Sequence, residues 1–408
     1  MGPARGLADT AHNLEGELFV AHYADRLRDI EPFQVMDVLA RARALEGEGR
    51  SIVHMEIGEP DFPTTDGIIQ AGVAALTAGR THYLPALGLD PLRSAIAASY
   101  PVAARPDASR IVVTPGASGA LTLALAALLN PGDRVLVTDP GYPCNRHFVR
   151  LFEGEPVAVN VGVDTGYQLT ADLIRRHWTP KTVAAIVSSP SNPTGTLVSD
   201  LEMKRIVDTV AALGGVLIVD EIYHGLTYGM DAESALAHSS DVFVVNSFSK
   251  YYGMTGWRLG WLVVPDAYRS AVEKLAQNVF IAASTPAQYA ALAAFEAPVK
   301  AELERRREVF RERRDYLLPA LRDLGFDVPI TPQGAFYIYA DCSRFTRDSR
   351  AFALDLLDRA GVAITPGCDF GRHRSDRYVR FSYATARENL EEGVKRIVRV
   401  LAKQSLDR

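Results

Sequence analysis

Cysteine is scarce in this chain, with three among 408 residues. Cys144, Cys342 and Cys368 stand far apart without Cys-x-x-Cys spacing, which excludes a disulfide framework and a thiolate zinc knuckle. A reducing, cytoplasmic setting is the expectation. Long apolar runs are missing too: no stretch reaches the roughly 18 residues that would span a bilayer, and the N-terminus has no signal-peptide core. Nor does charge of one sign accumulate. A formal net charge of −5 gives no pull toward nucleic acid or an anionic membrane. The arginines between Arg305 and Arg314 alternate with Glu304, Glu308 and Glu312, the pattern of a solvated helix face. No G-x-G-x-x-G turn follows a strand, which argues against a dinucleotide dehydrogenase. Internal repeats and low-complexity segments are likewise absent.

What is present is apolar material, 48% of the residues, enough for a large core and two or three domains. Short β-branched runs alternate with helical stretches through the middle of the chain. They are Ile111–Thr114, Arg134–Thr138, Val157–Val161, Val183–Ser188, Val216–Asp220 and Val242–Asn246. Several are apolar on both faces, as parallel strands covered by helices are. Ala120–Leu129 reads as a buried helix and Asp200–Leu213 as an amphipathic one. The expected fold is an α/β three-layer sandwich on a mostly parallel sheet, with ligands at the carboxyl ends of its strands. After about Ala297 the texture becomes α+β. It comprises a long charged helix (Val299–Leu324), strands at Phe336–Tyr339 and Tyr378–Tyr383, and helices near Arg350–Ala360 and from Arg387. The expected division is an irregular arm over 1–24, a segment 25–57 packing with the small domain, a large domain 58–297 and a small domain 298–408. An amphipathic helix is expected between Asp25 and Leu45, after Pro32.

The strongest chemical signal is Ser247-Phe248-Ser249-Lys250-Tyr251-Tyr252-Gly253-Met254-Thr255-Gly256-Trp257-Arg258-Leu259-Gly260. A strand delivers two hydroxyls and a lysine into a loop, and an arginine follows. Such an amine can form an imine with an aldehyde, and hydroxyls with a guanidinium can hold a dianionic phosphate. Ser-Phe-Ser-Lys alone fits a surface lysine equally well. Upstream, Asp220 closes the apolar run Val216–Asp220, and Tyr223 follows it. Either residue alone is as compatible with a helix cap or a core tyrosine. Val113-Thr114-Pro115-Gly116-Ala117-Ser118-Gly119 passes from strand through small residues to helix, a setting whose N–H groups suit phosphate. Asp139-Pro140-Gly141-Tyr142-Pro143 and Ser191-Asn192-Pro193-Thr194-Gly195 are turns by composition. Arg380 lies inside the apolar run Tyr378-Val379-Arg380-Phe381-Ser382, where a buried charge requires a carboxylate, from a ligand or from the protein itself.

In this order and spacing, these motifs resemble the class I aminotransferases over roughly residues 25–400. The resemblance implies pyridoxal 5'-phosphate as cofactor and Lys250 as its covalent anchor and the catalytic acid–base. It implies Asp220 on the pyridine nitrogen, thirty residues before Lys250, and Tyr223 on the ring's 3-oxygen. Tyr142 would stack on the ring, while Ala117, Ser118, Ser247, Ser249 and Arg258 would take the phosphate. Asn192 would meet both cofactor and substrate, with Gly58 and Arg380 at the substrate carboxylate. Tyr83 would reach a neighbouring subunit's phosphate, which makes the enzyme a homodimer with shared active sites. The Asp139–Pro140 and Asn192–Pro193 bonds are expected to be cis. Amino acids and 2-oxo acids are the implied substrates, with no nucleic acid, membrane or metal. Aspartate-specific relatives carry a lysine after the glycine pair of the phosphate loop; here Ser118 stands there, which favours a neutral donor over aspartate. A C–S β-lyase on the same fold is the rival enzyme. A cofactor-sensing regulator would need a DNA-binding module before residue 25, for which the segment is short.

Overall fold

The computed structural model describes residues 23–406 together with Ala11–His12 and Leu18–Phe19, two short strands that pair antiparallel. Most of the arm expected over 1–24 therefore lies outside the described residues. Seven strands form the main sheet: β1 (Ile111–Thr114), β2 (Arg134–Asp139), β3 (Glu155–Asn160), β4 (Thr182–Ser188), β5 (Val216–Asp220), β6 (Phe243–Ser247) and β7 (Gly260–Val263). Their spatial order is β1-β7-β6-β5-β4-β2-β3. β7 runs antiparallel to both neighbours, β1 and β6, while the pairs from β6 outward to β3 are parallel.

The period of two along each strand sorts side chains into two cores. Val113, Leu136, Val187, Val219, Val244 and Trp261 face one helical layer. Val112, Val135, Ile186, Ile218, Phe243 and Val245 face the other. This is the three-layer arrangement expected. β3 is the exception among the expected strands: it is largely exposed, because it closes one edge of the sheet. β7 was not anticipated. Its run is short, and it follows the lysine loop without a turn signal of its own.

Four helices frame these layers, and the first two reach the site. α1 (Gln34–Gly47) begins after Pro32, as expected, with a separate 3₁₀ turn at Asp25–Arg28 before it. α2 (Gly116–Leu128) starts four residues ahead of the expected Ala120, so Ala117 and Ser118 belong to its first turn rather than to a loop. α3 (Asp200–Ala212) is capped by the Ser199 hydroxyl. α4 (Ala297–Leu324) opens with Pro298 in its first turn, where a missing N–H costs nothing, and ends at Gly325 in the left-handed conformation. The helix expected near Arg350–Ala360 is α-helical over Ser349–Asp355 and turns π-helical over Leu356–Ala360.

A third core gathers Phe310, Leu317, Phe336, Ile338, Val379 and Phe381 beneath α4 and the antiparallel strands Tyr337–Asp341 and Tyr378–Ser382. Val38, Ala42 and Leu45 of α1 pack on Leu357 and Ala363. The chain after α1 adds the strand Val53–His54 in parallel to Val362–Ala363. No helix among the described residues is long and apolar enough to cross a membrane. The Asp139–Pro140 and Asn192–Pro193 bonds are cis, as the resemblance implied, and Ser189–Pro190 is cis as well.

The paired cores make a stability prediction. Phe243 is fully buried on β6, so Phe243→Ala is expected to destabilise the fold by about 3–5 kcal/mol. Thermal or urea unfolding checks it, and a shift under about 1 kcal/mol would show that the core repacks.

Candidate active site

The carboxyl ends of β5 and β6 deliver the reactive groups, as the open-sheet rule requires. Asp220 is the last residue of β5 and is buried. One of its oxygens accepts the Ile222 backbone N–H at 3.0 Å. Burial pushes its carboxyl up to about 7, and the nearby Glu221 charge adds to the rise. Three residues past the end of β6, the Lys250 amine donates to the Gly58 carbonyl at 2.6 Å. Burial brings this amine down to about 8; the Glu59 charge opposes the shift, and the Arg380 and Arg258 charges support it. One cavity of about 480 Å³ thus holds a carboxyl and an amine whose charges are both disfavoured.

The cavity's phosphate-sized end is built by close backbone approach. Gly260 opens β7 against α2, and a β-carbon there would meet the Gly116 carbonyl carbon at 2.7 Å and the Ala117 nitrogen at 2.9 Å. Gly116 has φ +69°, and a side chain on it would strike the Arg258 guanidinium. Ala117, Ser118, Ser249 and Arg258 line this end. Free N–H groups at a helix start, a hydroxyl and a guanidinium form a donor set for a dianion. Ser247 does not line the cavity. Its side chain is buried behind Ser249, where its hydroxyl lies 2.9 Å from the Ser249 hydroxyl and donates to the Leu259 carbonyl at 3.0 Å. These contacts brace the loop.

The opposite end is organised around Arg380. Its guanidinium is buried, donating from Nη1 to Asn192 Oδ1 at 2.9 Å and from Nη2 to the Glu56 carbonyl at 2.5 Å and Thr365 Oγ1 at 3.2 Å. The rings of Tyr337 and Phe370 lie 4.2 and 4.9 Å from it. No side-chain carboxylate pairs with Arg380 among the described residues, and its Nε lacks a hydrogen-bond partner. A buried cation of this kind awaits an anionic ligand.

Gly58, Ala117, Ser118, Tyr142, Asn192, Asp220, Tyr223, Ser249, Lys250, Arg258 and Arg380 therefore share one cavity. Tyr83 stands 82% exposed and off the wall of this cavity. Sequence reasoning missed Tyr337, whose hydroxyl lies 2.9 Å from that of Tyr223 and so close to Gly58 that a β-carbon would collide with it. It missed Phe33, Val35, Leu121 and Phe370 as well. For Tyr337 the sequence did hold a signal: a tyrosine on the strand paired with that of Arg380, two residues from Tyr339, the register partner of Arg380. The donors present fit pyridoxal phosphate, with an amine for its aldehyde, a carboxyl for its nitrogen, a phenol for its 3-oxygen and a dianion cradle at α2.

Comparison with known proteins decides the family. The family model for aminotransferase class I and II matches residues 50–397. This chain is a member of that family. It is accordingly a pyridoxal-phosphate-dependent transaminase, passing amino groups between amino and 2-oxo acids. The (5-formylfuran-3-yl)methyl phosphate transaminase of Methanocaldococcus jannaschii is 38% identical to it, over 93% of this chain and 99% of that one. Valine–pyruvate aminotransferase of Mycobacterium tuberculosis is 40% identical, over 90% and 96%. A crystal structure of an aminotransferase from Mycobacterium tuberculosis superposes with a TM-score of 0.91 at 38% identity, covering 94% of this chain and 100% of that chain.

The raised Asp220 carboxyl sets a pH signature in the cofactor-free transaminase. Between its ordinary value of 3.8 and about 7, the folded protein holds a proton that the unfolded chain has released. Stability contributed by this group is therefore present at acid pH and lost as pH rises toward 7. Cofactor-free Asp220→Asn should gain thermal stability over the parent at pH 8, and the gain should vanish near pH 4. An equal difference at both pH values would contradict the burial argument.

Proposed function

We propose that this transaminase takes its amino group from a neutral L-amino acid and passes it to a 2-oxo acid such as 2-oxoglutarate or pyruvate. The observation that carries the reading is the use made of cations. Those lining the cavity, among the described residues, are Lys250, Arg258 and Arg380. Lys250 serves the cofactor aldehyde, Arg258 the phosphate and Arg380 the carboxylate common to all amino acids. None remains for a distal carboxylate, and Phe33, Val35, Leu121 and Phe370 give the wall apolar surface. Ser118 offers a hydroxyl where aspartate-specific relatives place an ammonium.

Bound pyridoxal phosphate supplies an electron sink for the pair released at the substrate Cα. Asp220 keeps the pyridine nitrogen protonated, an arrangement that also relieves its own buried charge. Tyr223 donates toward the 3-oxygen and is itself held by Tyr337. Tyr142 covers one face of the ring. Asn192 and Arg380 fix the substrate carboxylate with Gly58 beside it, orienting the Cα–H bond. Lys250, lowered to about 8, would accept that proton and redeliver it as a general acid–base. Its partner carbonyl on Gly58 keeps the amine within the cavity between transfers.

The same reading divides the chain into a large cofactor domain (58–297) and a small domain (298–408) served by 25–57; the separate cores beneath the sheet and beneath α4 support it. It also makes the enzyme a homodimer. Tyr83 and the apolar residues Val73, Leu76, Val279 and Ile281 are exposed on a single chain, which supports a second copy that receives Tyr83 at its phosphate.

Three measurements test this. Lys250→Ala should retain cofactor but lose transfer by several orders of magnitude, because anchor and proton carrier disappear together. Arg380→Ala should weaken all donors by similar factors, roughly ten- to a hundredfold for one charge-assisted contact. In a donor panel with 2-oxoglutarate as acceptor, alanine, valine and methionine should outrank aspartate, and Ser118→Lys should raise aspartate relative to alanine. A parent enzyme that prefers aspartate by a hundredfold or more would sink the cation argument.

A further inference from the structure

The segment from Val53 to Gly58 carries more than one contact to the active site. Val53–His54 pairs with Val362–Ala363, the Met55 N–H donates to the Ala363 carbonyl at 3.0 Å, and the Met55 carbonyl accepts from Ser382 at 2.7 Å. Stitched in this way, the segment presents two carbonyls to the cavity. Glu56 gives its carbonyl to Arg380, and Gly58 gives its own to Lys250.

The side chain of Glu56 is on the other side of the backbone's business. It is fully buried and absent from the cavity wall. One of its oxygens meets His54 Nδ1 at 2.7 Å, and the other has no hydrogen-bond partner. The far nitrogen of His54 meets Glu46, near the end of α1, at 3.1 Å. A carboxylate this deep requires a cation within contact, and His54 is the one present among the described residues. The Glu56 hydrogen bond is the largest influence on His54 and, with Glu46, carries its imidazole up to about 9, against the pull of burial. At neutral pH the imidazole is therefore charged, completing a Glu46–His54–Glu56 row.

We propose that the His54–Glu56 ion pair positions Arg380 for the substrate carboxylate, by fixing the backbone carbonyl of Glu56. Arg380 Nε has no partner, so Asn192, Thr365 and this carbonyl set the plane of the guanidinium. Without the imidazolium, Glu56 is a buried charge with nothing beside it, and the carboxylate must move toward solvent or take up a proton. The strand that bears its carbonyl moves with it, and the guanidinium loses its shortest contact. Neither His54 nor Glu56 touches the reacting atoms; both act through Arg380. The inference rests on the assignment of Arg380 to the carboxylate.

The test uses holoenzyme and the unreactive acid 3-phenylpropionate, followed by the change in visible absorption on binding. His54→Gln, which strands the buried carboxylate, should weaken the acid about tenfold with cofactor content unchanged. Glu56→Gln should weaken it less. The double variant carries no buried charge and should recover to within about threefold of the parent, which a general loss of packing would not produce. For amino donors the same ordering should appear in KM, with kcat changed less. Arg380→Ala separates the two layers of the argument. If it leaves the acid's Kd unchanged, the carboxylate assignment itself fails. If it abolishes binding while His54→Gln lowers only the melting temperature and leaves Kd as in the parent, the positioning role is overturned. Should His54→Gln not fold, Glu56→Gln decides: weaker binding of the acid supports the proposal, and a parental Kd overturns it.

Discussion

A guanidinium buried in an apolar strand is the constraint around which this molecule is arranged. Arg380 cannot be solvated where it sits, so the protein brings acceptors to it from three distant stretches of chain. Asn192 comes from the loop after β4, the Glu56 carbonyl from the N-terminal segment and Thr365 from the strand beside Arg380 itself. Two aromatic faces complete the enclosure. Satisfying one cation thus ties the sheet, the segment after α1 and the C-terminal strands into a common wall.

Burial acts in opposite directions on the two other ionisable groups of the cavity. It raises the Asp220 carboxyl and lowers the Lys250 amine, so both are drawn toward neutrality before any ligand arrives. A cofactor with a basic ring nitrogen and an aldehyde relieves both costs, giving one group a cation and converting the other's amine. The protein's electrostatic discomfort and the cofactor's functional groups are matched. A dinucleotide would answer neither need.

The sheet, its helical layers and most of the cavity were legible in the sequence because they rest on local signals. β5 and β6 announce themselves by runs apolar on both faces, and each ends in a polar residue that has nowhere to go but the strand terminus. Arg380 stood out by such a contrast, whereas Asp220, Lys250 and Asn192 took their roles from the order and spacing of motifs that resemble the class I aminotransferases. What escaped depends on geometry between segments. Ser247 has the composition of a phosphate ligand, yet strand alternation turns its hydroxyl inward to Leu259. Tyr337 reads as one more strand aromatic until pairing sets it beside Arg380. Phe33 and Val35 reach the cavity only because α1 packs on the far end of the chain. β7 was missed because its four residues carry no turn signal, and its antiparallel direction is set by its two neighbours.

That reversed strand has a mechanical consequence. β6 ends and β7 begins on the same rim of the sheet, in register through Ser247 and Gly260, so the loop between them is anchored at both ends by sheet hydrogen bonds. Lys250 sits near one anchor and Arg258 near the other. The span between aldehyde carbon and phosphate in a ligand is a constant of its covalent structure, and on the roles proposed for Lys250 and Arg258 the loop is a caliper set to it. An insertion that lengthens the loop, harmless on most surfaces, opens the caliper and separates the two grips. Variation in length among such chains should therefore collect elsewhere, leaving this stretch as an inextensible gauge within an otherwise adaptable scaffold.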